Sequence, residues 1–162
     1  LVARFGGPAS AEELSQRHFR LVCQLLEEYR VGPMPGLEEA LSALRRRGIP
    51  FGVVSSSWRW YVERCLRELG MYEDAAVIVT GSDGLPLKPA PAPYQAAARV
   101  FRPAPPGAVL AVEDSGSGVR SAVAAGLACA AVYNPDSGAQ DLSPARWRLN
   151  SLYELPALLD GN

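Results

Sequence analysis

Lysine is nearly missing from this chain: Lys88 stands alone against fifteen arginines in 162 residues. His18 is the only histidine, it falls in a helical pattern rather than at a strand end, and no GxSxG elbow occurs, which excludes a Ser-His-Asp hydrolase. Cys23, Cys65 and Cys129 are scattered without a CxxC, so a disulfide framework and a zinc site give way to buried thiols. Neither sign of charge dominates. The net charge is −1 and the basic residues are spread along the chain, leaving no electrostatic case for nucleic acid or a membrane surface. No stretch of about 18 apolar residues and no signal-peptide pattern appears, so a soluble cytoplasmic protein is expected.

What is present is core material. Apolar residues make up 48% of the chain, enough for one ordinary domain or a domain with a small appendage. The longest charge run, Arg45-Arg46-Arg47, sits just before Gly48 at the end of a helical pattern, where cations complement the helix dipole.

Residues 10–30 read as an amphipathic helix opened by a Ser10/Glu13 capping box, and "VGPMPG" (31–36) reads as a linker. A regular alternation follows. Helices are predicted over 37–47, 59–69, 93–101, 118–125 and 152–159, and strands over 49–54, 76–80, 108–112, 128–133 and 146–150. This pattern implies an α/β fold: a parallel sheet with helices on both faces. The first four strands run into polar or glycine-rich turns, "SSS", "GSDG", "EDSGSG" and "NPDSG". In a parallel sheet those turns share one edge, the edge at which open α/β sheets bind ligands.

Two adjacent acids, Glu113 and Asp114, end the strand at 108–112. Asp114 could cap the next helix, but capping does not account for Glu113. A hard cation such as Mg²⁺ accounts for both, because it takes carboxylate oxygens and keeps positions for water and phosphate. Lys88, in the proline-stiffened "GLPLKPAPAPY", supplies a compact ammonium that a guanidinium fork does not replace. Ser55 and Ser56 in "VVSSS" offer hydroxyl and backbone N–H groups at a strand-to-helix turn, suited either to phosphate or to plain N-capping by Ser56 or Ser57.

The ordered set "VVSSS", "LKPAP" and "AVEDSGSGVRSAVAAG" closely resembles the haloacid dehalogenase-like (HAD-like) phosphatases, in particular the β-phosphoglucomutase and phosphoglycolate-phosphatase-like group. The resemblance covers nearly the whole chain. It implies a Rossmann-like core and a phosphoric monoester hydrolase that works through a phospho-aspartate with Mg²⁺ on a small phosphorylated metabolite, such as a sugar phosphate. It also implies Ser55 as the phosphate-binding hydroxyl, with Ser56 beside it, and Lys88 as the clamp on phosphate and nucleophile. Asp114 becomes a metal ligand, and Glu113 orients the metal's water shell. "RFGGPASAEEL" resembles the specificity loop of a helical cap, with Gly6 and Gly7 in the loop. Residues 1–32 are then a partial cap and 33–162 the core, in a monomer or weak dimer.

The sequence departs from that family in one large respect. The family's DxDx[TV] motif, which carries the nucleophile on a central first strand, is absent, and no DxD occurs anywhere in the chain. Because that strand belongs between those leading into "SSS" and "EDS", its absence is expected to leave a gap with unpaired backbone. The start at Leu1, within the cap, is read as an N-terminally incomplete enzyme, inactive as it stands. The competing reading is an inactive phosphate-binding or interaction module on the same fold. Ala92 also stands where the family has Asp, and Pro93 partly replaces that helix cap. Hydrolysis is favoured over mutase activity, because a mutase must shield its phospho-aspartate from water. A dinucleotide loop at "GSGVRS" lacks its third glycine, with Ser121 in that place, and follows two acids that repel a pyrophosphate unless a cation intervenes.

Overall fold

The computed structural model describes residues 10–29, 32–104 and 107–161. The chain divides into two compact units, Leu1–Gly32 and Pro33–Asn162. In the first unit, α1 (Ala11–Glu28) begins with the expected capping box. Ser10 Oγ accepts from the Glu13 N–H at 3.1 Å, and the Ser10 N–H donates to Glu13 Oε2 at 2.7 Å. Two of the four orphan N–H groups of this helix end are satisfied in this way.

The second unit follows the expected alternation closely. Its elements are α2 (Leu37–Arg47), β1 (Phe51–Val54), α3 (Arg59–Glu68), β2 (Ala75–Val79), α4 (Ala92–Ala98), β3 (Leu110–Glu113), α5 (Gly116–Ala124), β4 (Ala128–Val132), β5 (Trp147–Leu149) and α6 (Leu155–Asp160). Single 3₁₀ turns extend α4 through Phe101, follow β4 at Pro135–Ser137 and precede α6 at Leu152–Glu154. α2 shows why the local sequence suffices. Glu38 and Glu39 occupy its first turn and three arginines its last, and left-handed Gly48 (φ 62°) ends it. Arg45 and Arg47 also pair with Asp74 and Asp160, both in solvent.

All strand pairs are parallel, but they form two separate ladders, β1–β2 and β3–β4–β5. Within the second ladder, Ala111 lies in register with Cys129 and Ala130 with Trp147. The two faces of β4 are covered by different helices, as side-chain alternation requires. Ala130 and Val132 pack with Ala40, Leu149, Leu152 and Leu155. Cys129 and Ala131 pack with Tyr94, Ala111, Val119 and Ala122. Of the three thiols Cys129 is buried, whereas Cys23 and Cys65 are only half-buried, and none is disulfide-bonded.

Among the described residues β1 and β3 are each bonded on one side only, and both line a cavity of about 1130 Å³. The sheet of the described residues is therefore broken between the segments leading into "SSS" and "EDS". No helix among the described residues is long and apolar enough to cross a membrane.

Gly36 carries a testable constraint. Its φ is 86°, and a Cβ there would overlap the backbone of Leu152 and Tyr153. Gly48 shares the left-handed conformation but has open space around it. Gly36→Ala is expected to cost about 3 kcal/mol and Gly48→Ala about 1 kcal/mol, read by urea denaturation. Equal losses would show that the contact with Tyr153 carries no energy.

Candidate active site

The turns after β1 and β3 and the segment before α4 bring Ser55, Ser56, Lys88, Glu113 and Asp114 onto the lining of that one cavity. β1 delivers Ser55, whose N–H extends the parallel ladder by donating to the Val79 carbonyl at 2.8 Å. Ser55 Oγ accepts from the Ser57 N–H at 3.1 Å, which folds the turn back on itself. The capping role open to Ser56 or Ser57 is not realised. α3 has Trp58 at its N-cap, with no side-chain cap bond.

Lys88 is the junction of the site. Its Nζ donates to the Val54 carbonyl at 2.9 Å and forms an ion pair with Glu113 Oε1. Because the Ser55 N–H points toward β2, the trans peptide turns the Val54 carbonyl the other way, onto the unpaired edge of β1. The ammonium thus spans from the free edge of β1 to the last residue of β3. Both side chains are largely removed from water, at 9% and 6% exposure, so neither charge is stable there without the other.

Glu113 follows the strand's alternation and shares the buried face of Ala111. Tyr94 Oη donates to its Oε1 at 2.6 Å, and Ser115 Oγ donates to its Oε2 at 3.1 Å. Burial first, and then the negative charge of Glu113, push the Tyr94 phenol far above its ordinary value, so it remains a donor. Burial, followed by the same charge, pushes the neighbouring Cys129 thiol up to about 11. Gly118 completes the enclosure, since any Cβ at that position would occupy the space of the carboxylate. One glycine of "SGSG" is thereby explained.

Asp114 faces a different set of partners. Its Oδ2 accepts from Asn134 Nδ2 at 2.7 Å and from Ser137 Oγ at 3.0 Å. It is not the helix cap, because Ser115 takes that place and accepts from the Gly118 N–H at 3.1 Å. Among the described residues no donor reaches Asp114 Oδ1, whereas both oxygens of Glu113 are engaged. Lys88, Tyr94 and Ser115 donate to Glu113, and the donors to Asp114 gather on one of its two oxygens. No three His, Cys, Asp or Glu side chains gather as a metal cage among the described residues. The donor set still suits Mg²⁺, which commonly takes one or two carboxylates and fills its octahedron with water and phosphate. Gly6 and Gly7, the expected specificity loop, lie outside the described residues.

Sequence reasoning missed Tyr94, Asn134 and Ser137. Tyr94 ends "LKPAPAPY" and reads there as ordinary core, and Asn134 and Ser137 read only as turn residues. Lys88→Met strands a buried carboxylate and is expected to cost about 3–5 kcal/mol of stability. Tyr94→Phe removes one bond to a charged acceptor and is expected to cost about 1.5–3 kcal/mol. Urea denaturation checks both, and equal losses would contradict the dominance of the ion pair.

The family model described as "haloacid dehalogenase-like hydrolase" matches residues 4–126. The protein YhcW of Bacillus subtilis (strain 168) is 33% identical over 162 residues, covering 99% of this chain and 72% of that protein. Phosphoglycolate phosphatase of Nitrosococcus oceani is 34% identical over 129 residues, 77% of this chain and 56% of the enzyme. The crystal structure of CbbY from Rhodobacter sphaeroides in complex with phosphate aligns with a TM-score of 0.79 at 27% identity, over 92% of this chain and 67% of that one. The chain thus spans between about half and three quarters of the length of these relatives. An α/β core with a parallel sheet, a lysine tied to an acid at the end of β3, and a family match across most of the chain converge on one conclusion: the protein belongs to the haloacid dehalogenase-like hydrolases.

Proposed function

We propose that this protein is a Mg²⁺-dependent phosphoric monoester hydrolase of the cytoplasm, acting on a small phosphorylated metabolite of the sugar-phosphate kind. The observation that carries the reading is the cavity on which Ser55, Lys88 and Asp114 meet, although they lie far apart in sequence. Support for the substrate class comes from relatives. Rhodobacter sphaeroides CbbY has been solved with phosphate and, as a variant, with xylulose-(1,5)bisphosphate. A Nitrosococcus oceani relative is a phosphoglycolate phosphatase.

In this reading the Ser55 hydroxyl and the neighbouring Ser56 bind phosphate oxygens at the end of β1. Lys88 supplies positive charge where phosphoryl charge accumulates; Glu113 and the Val54 carbonyl hold its ammonium in place, and Tyr94 braces Glu113. Asp114 would hold Mg²⁺ through Oδ1. When bound, the cation neutralises charge on the phosphoryl oxygens and orients the ester. The phospho-aspartate route needs a nucleophile that no DxD in these 162 residues provides. The open slot between β1 and β3 is the place for the strand that would carry it. Residues 1–32 are read here as part of a cap domain.

The absent DxD supports a second reading, phosphate binding without turnover. Assays of the full-length protein on p-nitrophenyl phosphate and a panel of sugar phosphates, with Mg²⁺ and with EDTA, separate the two. Hydrolysis is expected with Mg²⁺ alone, and Asp114→Asn is expected to lower kcat on the order of 100-fold. Equal turnover by both proteins, or turnover indifferent to EDTA, rejects the metal assignment. Binding of inorganic phosphate without turnover favours the second reading.

A further inference from the structure

We propose that Asn134 and Ser137 are positioning residues that hold Asp114 to single-oxygen coordination and so select Mg²⁺ over Ca²⁺. The proposal rests on the reading of Asp114 as the metal carboxylate. Asn134 Nδ2 and Ser137 Oγ converge on the same oxygen, Asp114 Oδ2, at 2.7 and 3.0 Å. A carboxylate oxygen has two in-plane lone pairs, and two donors occupy both. Oδ2 is therefore closed to a cation, while Oδ1 receives no donor among the described residues.

The donors themselves are braced. Asn134 Oδ1 accepts from the Asp136 N–H at 3.0 Å, which assigns the amide orientation and leaves Nδ2 for Asp114. The Ser137 N–H donates to the Asn134 carbonyl at 3.2 Å. Gln140 ties this loop to the start of α5: its Nε2 donates to the Ser137 carbonyl at 2.8 Å, and its Oε1 accepts from the Gly116 N–H at 2.9 Å. Asp114 is thus gripped by a loop that is itself latched to the helix following Asp114. Such outer partners orient ligand carboxylates and tune the affinity of the metal site.

The chemical consequence separates two cations. Mg²⁺ demands a compact octahedron and takes carboxylates through one oxygen, whereas Ca²⁺ accepts both oxygens of one carboxylate at longer range. Freeing Oδ2 removes the bar to two-oxygen binding and loosens the carboxylate that Mg²⁺ needs held.

The test is competition of Mg²⁺ and of Ca²⁺ against Mn²⁺, followed by EPR, on the full-length protein and its variants. Circular dichroism and thermal melts verify that each is folded. The double variant Asn134→Ala/Ser137→Ala is expected to bind Mg²⁺ about 10- to 100-fold more weakly, with Ca²⁺ affinity held or increased, so that the Mg²⁺/Ca²⁺ preference falls at least about tenfold. Ser137→Ala alone is expected to give a smaller shift in the same direction, and Ser137→Thr, which keeps the hydroxyl, to behave as wild type. Parallel weakening of both cations, or no change in either, overturns the proposal if Asp114→Asn abolishes binding. Undiminished binding by Asp114→Asn overturns the metal site itself, and the selectivity proposal with it.

Discussion

The buried ion pair between Lys88 and Glu113 is the interaction on which the rest of the site depends. Two carboxylates at the end of one strand repel each other, and their burial is costly unless charge is balanced. The pair resolves that conflict by giving the two acids different jobs. Glu113 turns inward with Ala111 and is saturated by an ammonium, a phenol and a hydroxyl. Asp114 meets the loop at 134–137 and keeps one oxygen uncommitted. The donors to Asp114 thus gather on one oxygen, while both oxygens of Glu113 are engaged. Lys88 also joins two ladders that share no strand, because its other partner is the carbonyl at the free edge of β1.

The divided sheet gives this junction its setting. β4 is enclosed on both faces and anchors the larger ladder, while β1 and β3 each present an unpaired edge to the cavity. Unpaired backbone groups at a buried edge cost free energy. The ammonium satisfies one of them at Val54, next to the place where phosphate binding is proposed. The same cavity is thus a structural opening along its length and a polar site at the strands' C-terminal end.

Features encoded within a few residues were legible. The Ser10/Glu13 box, the glycine stop at Gly48 and the alternation of strands and helices all rest on local hydrogen bonds and side-chain periodicity. Lys88 stood out because it is unique, and Glu113 with Asp114 because acids interrupt an apolar run. Local reasoning left the choice open where several side chains compete for one role. Ser115, rather than Asp114, caps α5, and Trp58 heads α3 in place of a serine. Tyr94 was invisible as a site residue because a phenol inside a core pattern signals packing, and its hydroxyl acquires a role only when Glu113 arrives from another strand.

The sequence by itself determined the order of elements, the parallel α/β class and the residues that crowd the sheet's C-terminal edge, because periodicity, capping and turn chemistry act over a few neighbours. Only the tertiary structure decided how the two acids divide their labour, since that depends on which donors reach which oxygen. Lys88 and Tyr94 approach Glu113 from 25 and 19 residues away, and Asn134 reaches Asp114 from 20. No local pattern encodes such meetings. They follow from packing β3, β4 and α4 into one core, which brings each hydrogen atom to its acceptor.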